Sequence, residues 1–278
     1  MKVAAIQMVS TPDVQTNKAA ARQLLQQAAD AGAELAVLPE YFCLFGRKDT
    51  DKLAIAEVDA PHESHGPLQD FLRQCALDMK LWLVGGTIPI SAASAGQAGK
   101  VFNSTLVYNP QGKRVARYDK IHLFRFDNGQ ESYDESRVLA AGLAPVSFDL
   151  PSRDGHTWRI GLSICYDLRF AELYRALAAD VLLVPSAFTH TTGLAHWELL
   201  LRARAIENLA YVVASAQGGL HENGRRTWGQ SMVIGAWGDV LSQLAPGSGE
   251  AGVVLAEVDK PTLDAFRCQL PALAHRVL

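Results

Sequence analysis

Residues 33–40 read AELAVLPE, and residues 179–186 read ADVLLVPS. Each stretch places an acidic residue before a run of aliphatic residues, and each run ends in Pro followed by one polar side chain. Aliphatic runs without polar alternation are typical of strands that are buried on both faces of a parallel sheet. The repeated pattern therefore predicts two similar sheets within one chain.

Further pairs of similar segments occur in the same order around these two stretches. In the first half, residues 81–86 (LWLVGG) precede a hairpin sequence at residues 104–112 (STLVYNPQG). In the second half, residues 210–215 (AYVVAS) precede residues 231–238 (SMVIGAWG). One such pair is weak support, because all α/β units look alike, but several pairs in one order favour two related halves. Sheets that face one another, with helices outside, would bury both faces of these strands.

Apolar runs alternate with helical patterns along the whole chain, which predicts an α/β fold. No linker rich in Pro, Gly or Ser separates the halves, so residues 1–278 are predicted to form a single domain. The predicted strands are Val3–Met8, Leu35–Pro39, Leu81–Thr87, Phe102–Tyr108, Val115–Tyr118, Trp158–Ile164, Val181–Val184, Tyr211–Ala216, Gln230–Ile234 and Val253–Glu257. The predicted helices are Asn17–Ala31, Pro67–Met79, Ala171–Ala178 and His196–Asn208.

The composition is that of an ordinary globular protein. The chain has 278 residues, of which 49% are hydrophobic, and a formal net charge of −3. No basic stripe suggests a nucleic-acid partner, and no apolar run approaches the roughly 20 residues of a membrane helix. The initial MKVAAIQM is too short for the apolar core of a signal peptide. We therefore expect a cytoplasmic protein without a membrane or nucleic-acid partner.

The cysteines and histidines give little support to a disulfide framework or a metal site. The four cysteines are widely spread and form no CxxC pair. His62 and His65 are three residues apart, but neither an HExxH motif nor a third ligand accompanies them. Metal-dependent hydrolysis is thus the weaker alternative, and a serine hydrolase lacks the GxSxG motif. We expect neither a metal nor a cofactor.

Three side chains with useful chemistry each follow a predicted strand: Glu40, Lys120 and Cys165. Ligands of α/β sheets bind beyond the carboxyl ends of the strands, so these side chains are expected to share one crevice. Taken singly, each has an ordinary alternative as a turn cap, a solvated charge or a core thiol. Taken together, the three side chains supply the groups that nucleophilic catalysis by a cysteine requires. A carboxylate can deprotonate a thiol and later protonate a leaving amine, while an ammonium and the N–H of Tyr166 stabilise the oxyanion. The dipole of the helix predicted at Ala171–Ala178 would favour a thiolate.

Three motifs make the chain similar to the nitrilase, or carbon–nitrogen hydrolase, superfamily over essentially its whole length. They are Leu38-Pro39-Glu40, YDKIHLF at residues 118–124 and SICYDLRF at residues 163–170. The resemblance implies a four-layer α-β-β-α sandwich with two pseudo-twofold-related halves. It also implies assembly into a homodimer or a larger homo-oligomer.

The resemblance assigns roles to individual residues. It implies that Glu40 is the general base, Lys120 the oxyanion-stabilising cation and Cys165 the nucleophile that forms a thioester. Family members also carry a second glutamate that orients the lysine. In YDES at residues 133–136 the matching residue is Glu135, and Glu131 is the alternative.

The resemblance also favours one branch of the superfamily. Cys-Tyr-Asp after the strand is typical of amidases rather than nitrilases, and residues 185–208 are similar to the Nit proteins. These comprise deaminated-glutathione amidases and ω-amidases that act on α-ketoglutaramate. Residues 216–222 and 225–232 are closer to the former, which implies hydrolysis of deaminated glutathione to 2-oxoglutarate and cysteinylglycine. An ω-amidase is the alternative; nitrile hydrolysis and a non-catalytic interaction module rank lower.

Five residues near these motifs are expected to contact a small-molecule amide substrate. Arg169 could bind a substrate carboxylate in bidentate geometry, or instead pair with Asp167 or Glu172. Arg125 stands where many Nit members have Asp, in a loop expected to border the pocket, and leaves the preferred size and charge of the substrate open. The five expected contacts are Tyr41, Phe42, Arg169, Phe188 and Thr189.

Overall fold

The computed structural model describes residues 1–59, 66–129 and 132–277. None of the helices in these ranges combines the length and the apolar character that crossing a bilayer requires. The helices are α1 Val14–Asp30, α2 Asp51–Ala54, α3 Pro67–Met79, α4 Ala171–Leu177, α5 His190–Asn208 and α6 Lys260–Gln269. The strands are β1 Lys2–Gln7, β2 Leu35–Val37, β3 Trp82–Val84, β4 Ile88–Ser91, β5 Val101–Tyr108, β6 Arg114–Asp119, β7 Arg125–Asp127, β8 Ser132–Asp134, β9 Leu139–Ala140, β10 Ser147–Pro151, β11 Thr157–Leu162, β12 Val181–Leu183, β13 Tyr211–Ala214, β14 Gly218–Leu220, β15 Arg226–Trp228, β16 Met232–Ile234, β17 Val240–Gln243 and β18 Gly252–Glu257.

The two main sheets have the same internal order. The first runs β18-β1-β2-β3-β5-β4, with β6 and β9 also paired to β5, and the second runs β10-β11-β12-β13-β16-β17. In each sheet three parallel strands lie between antiparallel neighbours. The similar segments at residues 33–40 and 179–186 therefore contain β2 and β12, the middle parallel strands of the two sheets. The predicted pair of similar sheets is confirmed.

Successive side chains of β1 belong to different layers of the core. Val3 and Ala5 are buried in the core shared with the second sheet, whereas Ala4 and Ile6 are buried against α1 and α3. This follows from the two-residue period of a strand, which sends neighbouring side chains to opposite faces. Residues of α4 and α5 pack against the second sheet. The layers are thus helix, sheet, sheet and helix, as the resemblance implied.

Two helices begin earlier than the apolar periodicity predicts, because a capping side chain precedes each of them. Asp13 accepts a hydrogen bond from Thr16 N at 2.6 Å, so α1 begins at Val14 rather than Asn17. The Thr189 hydroxyl caps α5 in the same way through Thr192 N, and α5 begins six residues before the predicted start. The early start of α5 brings Thr189 and Thr192 to the edge of the second sheet.

Hydrogen bonds join the carboxyl edges of the two sheets. Ser215, just after β13, donates its hydroxyl to Leu38 O at 3.0 Å. Gln217 donates its side-chain amide to the backbone oxygen of Glu40 at 3.1 Å. Residues that follow the parallel strands of both halves are therefore held side by side.

Candidate active site

Glu40 lies directly beyond β2, at the junction of the two sheets. Its side chain is 1% exposed. Its Oε1 accepts hydrogen bonds from Asn103 Nδ2 at 2.8 Å and from Lys120 Nζ at 2.9 Å. Asn103 interrupts the apolar run of β5, and this was the signal that sequence reasoning missed. The carboxylate is thus held by one neutral donor and one charged donor.

The backbone after Glu40 makes a tight turn that other segments hold in place. Tyr41 has a φ of 57° and donates its N–H to Thr87 Oγ1 at 2.8 Å. Gly86 has a φ of 50°, and a Cβ there would lie 2.2 Å from Pro39 O. Only glycine allows so close an approach without displacing the backbone before Glu40. The turn therefore fixes the position of the Glu40 carboxylate.

Lys120 follows β6 and is surrounded by two carboxylates. Its side chain is fully buried, and Nζ lies 2.9 Å from Glu40 Oε1 and 2.8 Å from Glu135 Oε2. Glu135 also accepts hydrogen bonds from Tyr41 Oη at 2.8 Å and from Phe124 N at 2.7 Å. The structure places Glu135 at the lysine, as the sequence favoured, and Glu131 lies outside the described residues.

Cys165 opens a short 3-10 turn, Cys165–Arg169, immediately beyond β11. Its φ of 50° is unusual for a residue with a side chain and costs on the order of 1–2 kcal/mol. The N–H of Cys165 donates to Pro185 O at 2.9 Å, which holds the turn against the end of β12. The Cys165 thiol lines the same pocket as the Glu40 carboxylate, and the two side chains shift each other's pKa. Glu40, Lys120 and Cys165 therefore meet at one point, as predicted.

Asp167 joins the cysteine turn to the segment that carries the lysine. Its carboxylate is fully buried and accepts hydrogen bonds from Ile164 N at 2.9 Å and Tyr118 Oη at 2.7 Å. The other oxygen accepts from His122 N at 3.0 Å and lies 2.7 Å from His122 Nδ1. The sequence suggests Asp167 only as a partner for Arg169, although Asp167 stands inside the Cys-Tyr-Asp motif. It is a positioning residue for both strand ends.

A pocket opens above the cysteine and has an empty volume of about 350 Å³. Four of the five expected contact residues line it: Tyr41, Arg169, Phe188 and Thr189. The expectation for Phe42 is wrong. Its ring is fully buried beneath the turn and stacks on Phe71 with a centroid distance of 6.2 Å, so it belongs to the core.

The structure also locates the two arginines that the sequence left open. The guanidinium of Arg169 lies over the rings of Tyr166 and Phe188, at 5.7 and 5.6 Å, and forms no ion pair with Asp167 or Glu172. Arg125 is exposed on β7, opposite Asp134 of β8, and does not line the pocket. The loop borders the pocket through other residues.

Comparison with known proteins agrees with this geometry. Residues 2–267 match the family described as carbon-nitrogen hydrolase. The chain belongs to this family. It is 40% identical over 279 residues to the deaminated glutathione amidase of Synechocystis sp. (strain PCC 6803), with 99% of this chain and 97% of the relative covered. The human deaminated glutathione amidase is 39% identical over 281 residues, with 99% and 81% covered.

A solved structure from the same superfamily has the same fold. Saccharomyces cerevisiae Nit3, a member of branch 10 of the nitrilase superfamily, is 28% identical and superposes with a TM-score of 0.84. The alignment covers 100% of this chain and 97% of Nit3. The resemblance to the Nit branch and the predicted fold are confirmed. The family and its amidase-named relatives support the predicted amidase.

The two carboxylates of this carbon–nitrogen hydrolase have opposite pKa shifts. Burial raises the pKa of Glu40 above 4.5; the charge of Lys120 offsets part of this effect, and the charge of Glu135 adds a smaller increase. Burial acts on Glu135 in the same sense, but the charge and hydrogen bonds of Lys120, with the Phe124 N–H, outweigh it and lower the pKa of Glu135. The two carboxylates together raise the pKa of Lys120 well above 10.5, against the effect of burial.

The pKa of the cysteine of this hydrolase is raised. Burial and the charge of Glu40 raise the pKa of Cys165 well above 9.0, and Lys120 and the Ala187 N–H offset only part of this effect. The raised pKa favours a thiol, whereas the predicted helix dipole would favour a thiolate. The helix α4 begins only at Ala171, and Cys165 lies in the preceding 3-10 turn beside a carboxylate. A base must remove the proton as the thiol attacks.

The structure offers an N–H for an oxyanion but no metal cluster among the described residues. No described residue accepts a hydrogen bond from Tyr166 N, which lies beside the thiol. No group of three His, Cys, Asp or Glu side chains in residues 1–59, 66–129 and 132–277 could hold a metal. His62 and His65 lie outside these ranges.

Proposed function

We propose that this hydrolase is an amidase that cleaves deaminated glutathione to 2-oxoglutarate and cysteinylglycine through a thioester on Cys165. The observation that carries the proposal is the contact between a buried thiol and a buried carboxylate whose pKa is raised, with a buried ammonium 2.9 Å from that carboxylate. Similarity over nearly the whole chain to deaminated glutathione amidases supports the choice of substrate.

In the first half-reaction, Glu40 takes the thiol proton while Cys165 Sγ attacks the amide carbon. The Lys120 ammonium and the Tyr166 N–H stabilise the oxyanion of the tetrahedral intermediate. Glu40 then gives its proton to the leaving nitrogen, the C–N bond breaks, and cysteinylglycine departs. A 2-oxoglutaryl thioester remains on Cys165, and Glu40 is again a carboxylate.

In the second half-reaction, Glu40 takes a proton from water as the hydroxyl attacks the thioester carbon. Collapse of the intermediate breaks the C–S bond, and the proton returns from Glu40 to the sulfur. Water is the only co-reactant consumed. A carboxyl with a raised pKa suits this double role, because a raised pKa makes it a stronger base for the thiol and for water while it can still donate the proton.

Two other residues complete the proposed site. Glu135 orients Lys120, since both of its oxygens contact Nζ, at 3.0 and 2.8 Å. Arg169 binds the carboxylate of the acyl group, because its planar guanidinium lies at the pocket and has no carboxylate partner among the described residues. Phe188 and Tyr166 hold the face of that guanidinium.

A comparison of kcat/KM on four substrates tests the proposed function: deaminated glutathione, α-ketoglutaramate, a simple ω-amide and a nitrile. We expect the highest value on deaminated glutathione and its complete loss in Cys165→Ala. A dominant rate on α-ketoglutaramate would instead make the protein an ω-amidase. Unchanged turnover in Cys165→Ala would refute the mechanism, and a failure to hydrolyse any amide would favour a non-catalytic module.

We also propose that the single-domain protein forms a homo-oligomer and is cytoplasmic. Leu194 and Leu199 on α5 have exposed fractions of 67% and 69%, so this helix presents apolar side chains that a second copy of the chain would cover. Light scattering during size-exclusion chromatography should give at least twice the chain mass. A monomer at all micromolar concentrations would contradict the proposal.

A further inference from the structure

Arg225 lines the pocket but has no role in the mechanism proposed above. It stands just before β15, and its side chain lines the same pocket as Cys165. Its guanidinium lies over the ring of Phe45 at 5.1 Å and over the ring of Tyr133 at 4.7 Å. Ring contacts of this kind occupy the faces of a guanidinium and leave its N–H edge for a ligand.

The charges around the pocket favour an anionic substrate. Lys120 is neutralised by Glu40 and Glu135, which both contact it. Arg169 has no carboxylate partner among the described residues, and the carboxylate paired with Arg225 is that of Asp49, 3.9 Å away and 58% exposed. A long ion pair to an exposed side chain is weak in water. Two guanidinium groups therefore face the pocket without a strong internal anion.

The two arginines reach the pocket from different segments of the chain. Arg169 is on the turn that begins with Cys165, which keeps the acyl group in the proposed mechanism. Arg225 packs on Phe45, in the segment that follows Glu40, and Glu40 protonates the leaving nitrogen in that mechanism. These connections favour the acyl group beside Arg169 and the leaving amine beside Arg225.

The support beneath Arg225 is rigid. Phe45 stacks on His221 with a centroid distance of 3.7 Å and an interplanar angle of 14°. The His221 ring is held by Ser10 O at 2.9 Å and Thr227 Oγ1 at 2.8 Å. Burial lowers the pKa of His221 to about 4, so the ring adds no positive charge beside Arg225 at neutral pH. A guanidinium held in this way loses little side-chain freedom on binding a carboxylate.

We propose that Arg225 binds the carboxylate of the leaving amine, so that the enzyme selects amides with an anionic group on each side of the scissile bond. This inference rests on the proposed function and specifies what the pocket requires of the leaving group. Deaminated glutathione meets the requirement through the carboxylate of its terminal glycine. α-Ketoglutaramate, which releases ammonia, lacks that carboxylate.

The test measures kcat/KM for deaminated glutathione, for the same compound with its terminal carboxylate converted to a carboxamide, and for α-ketoglutaramate. In Arg225→Ala we expect about a 10- to 100-fold loss on deaminated glutathione, the size of one charge-assisted hydrogen bond or a bidentate pair. The carboxamide and α-ketoglutaramate should change by less than about twofold. Arg226→Ala is the matched control, because Arg226 is exposed, adjacent and absent from the pocket lining. It should behave as the wild type on all three substrates.

Two outcomes would overturn the inference. A loss in Arg225→Ala that is equal on all three substrates would mean that Arg225 only holds Tyr133 and the hairpin β7–β8 in place. No loss on any substrate would mean that the carboxylate is not bound there. Failure of the proposed function has a different signature, since wild-type enzyme would then not hydrolyse deaminated glutathione.

Discussion

Glu40 and Glu135 are two buried carboxylates that contact the same ammonium, yet their surroundings differ. Glu135 accepts hydrogen bonds from Tyr41 Oη and Phe124 N, and both of its oxygens contact Lys120. Glu40 accepts from Asn103 and through one oxygen from Lys120, and it faces the thiol of Cys165. The pKa of Glu135 is accordingly lowered and that of Glu40 is raised.

The difference shows how one site can hold a permanent anion and a proton carrier side by side. Titratable neighbours whose pKa values are pushed apart have separate roles in acid–base catalysis. In the proposed mechanism, Glu135 stays ionised and keeps Lys120 charged and oriented. Glu40 gains and loses a proton in that mechanism, and it is the carboxylate that perturbs the pKa of Cys165.

The largest expected difference between the two carboxylates is in turnover. Glu40→Gln should lower kcat by about 10³- to 10⁴-fold, because the proton carrier is lost in both half-reactions. Glu135→Gln should lower it by only about 10- to 100-fold, because the amide still accepts hydrogen bonds from Lys120 and Phe124. Steady-state kinetics on the preferred amide measures both. Equal losses would show that the two residues do not have separate roles.

The pH dependence should shift when Glu135 loses its charge. Activity requires ionised Glu40, so kcat/KM rises with pH through the pKa of Glu40, which lies above 4.5 in the native enzyme. The charge of Glu135 contributes to that raised pKa, and Lys120 lowers it. In Glu135→Gln the acidic limb of the profile should therefore move about one unit lower. A limb that moves to higher pH would contradict the electrostatic account.

The two substitutions should change stability in opposite directions. A carboxyl whose pKa is raised in the folded state contributes to the free energy of unfolding at low pH, and this contribution is lost as the pH rises through the folded pKa. Ionised Glu40 therefore destabilises the enzyme at neutral pH. Glu135 has a lowered pKa in the folded state, so its ionised form stabilises the enzyme at pH values above the unfolded pKa. This stabilisation is lost as the pH falls through the folded pKa. At neutral pH, Glu40→Gln should raise Tm by about 2–4 °C and Glu135→Gln should lower it by a similar amount. Scanning calorimetry measures both shifts in Tm. Shifts of the same sign would contradict the different roles of the two carboxylates.

The smallest effect is expected from the hydroxyl that serves Glu135 alone. Tyr41→Phe removes the 2.8 Å hydrogen bond to Glu135 Oε1 and keeps the ring that lines the pocket. Because Lys120 and Phe124 still donate hydrogen bonds to Glu135, the loss of one donor is partly compensated, and we expect kcat to fall only about threefold. KM should stay unchanged, and a large rise in KM would show that the hydroxyl binds substrate instead.

The sequence was sufficient for the residues that follow buried strands. Glu40, Lys120 and Cys165 could be placed together because each follows a predicted strand, and ligands of α/β sheets bind beyond the carboxyl ends of the strands. Pro39 before Glu40 and Ile164 before Cys165 mark the ends of two of these apolar runs. The similarity of residues 33–40 and 179–186 likewise predicted two matching sheets, since strand burial depends on local composition.

The remaining site residues depend on contacts between distant segments. Asn103 and Glu40 are 63 positions apart, and Tyr118 and Asp167 are 49 positions apart. Such pairs form only when segments far apart in the sequence have packed together, and no local pattern identifies the partner. The misplacement of Phe42 has a similar cause. The left-handed turn at Tyr41 decides which aromatic ring faces the pocket and which one faces the core.

Isotope-edited infrared spectroscopy of the two carboxyl groups tests the central claim most directly. The C=O stretch of a protonated carboxyl would be followed between about pH 4 and pH 8 in wild type, Glu40→Gln and Glu135→Gln, a range that spans the ordinary and raised pKa values of a glutamate. We predict a protonated-carboxyl band that persists above pH 4.5, is absent in Glu40→Gln and remains in Glu135→Gln at a lower midpoint. A band that disappears in Glu135→Gln and is unchanged in Glu40→Gln would contradict the assignment of Glu40 as the proton carrier.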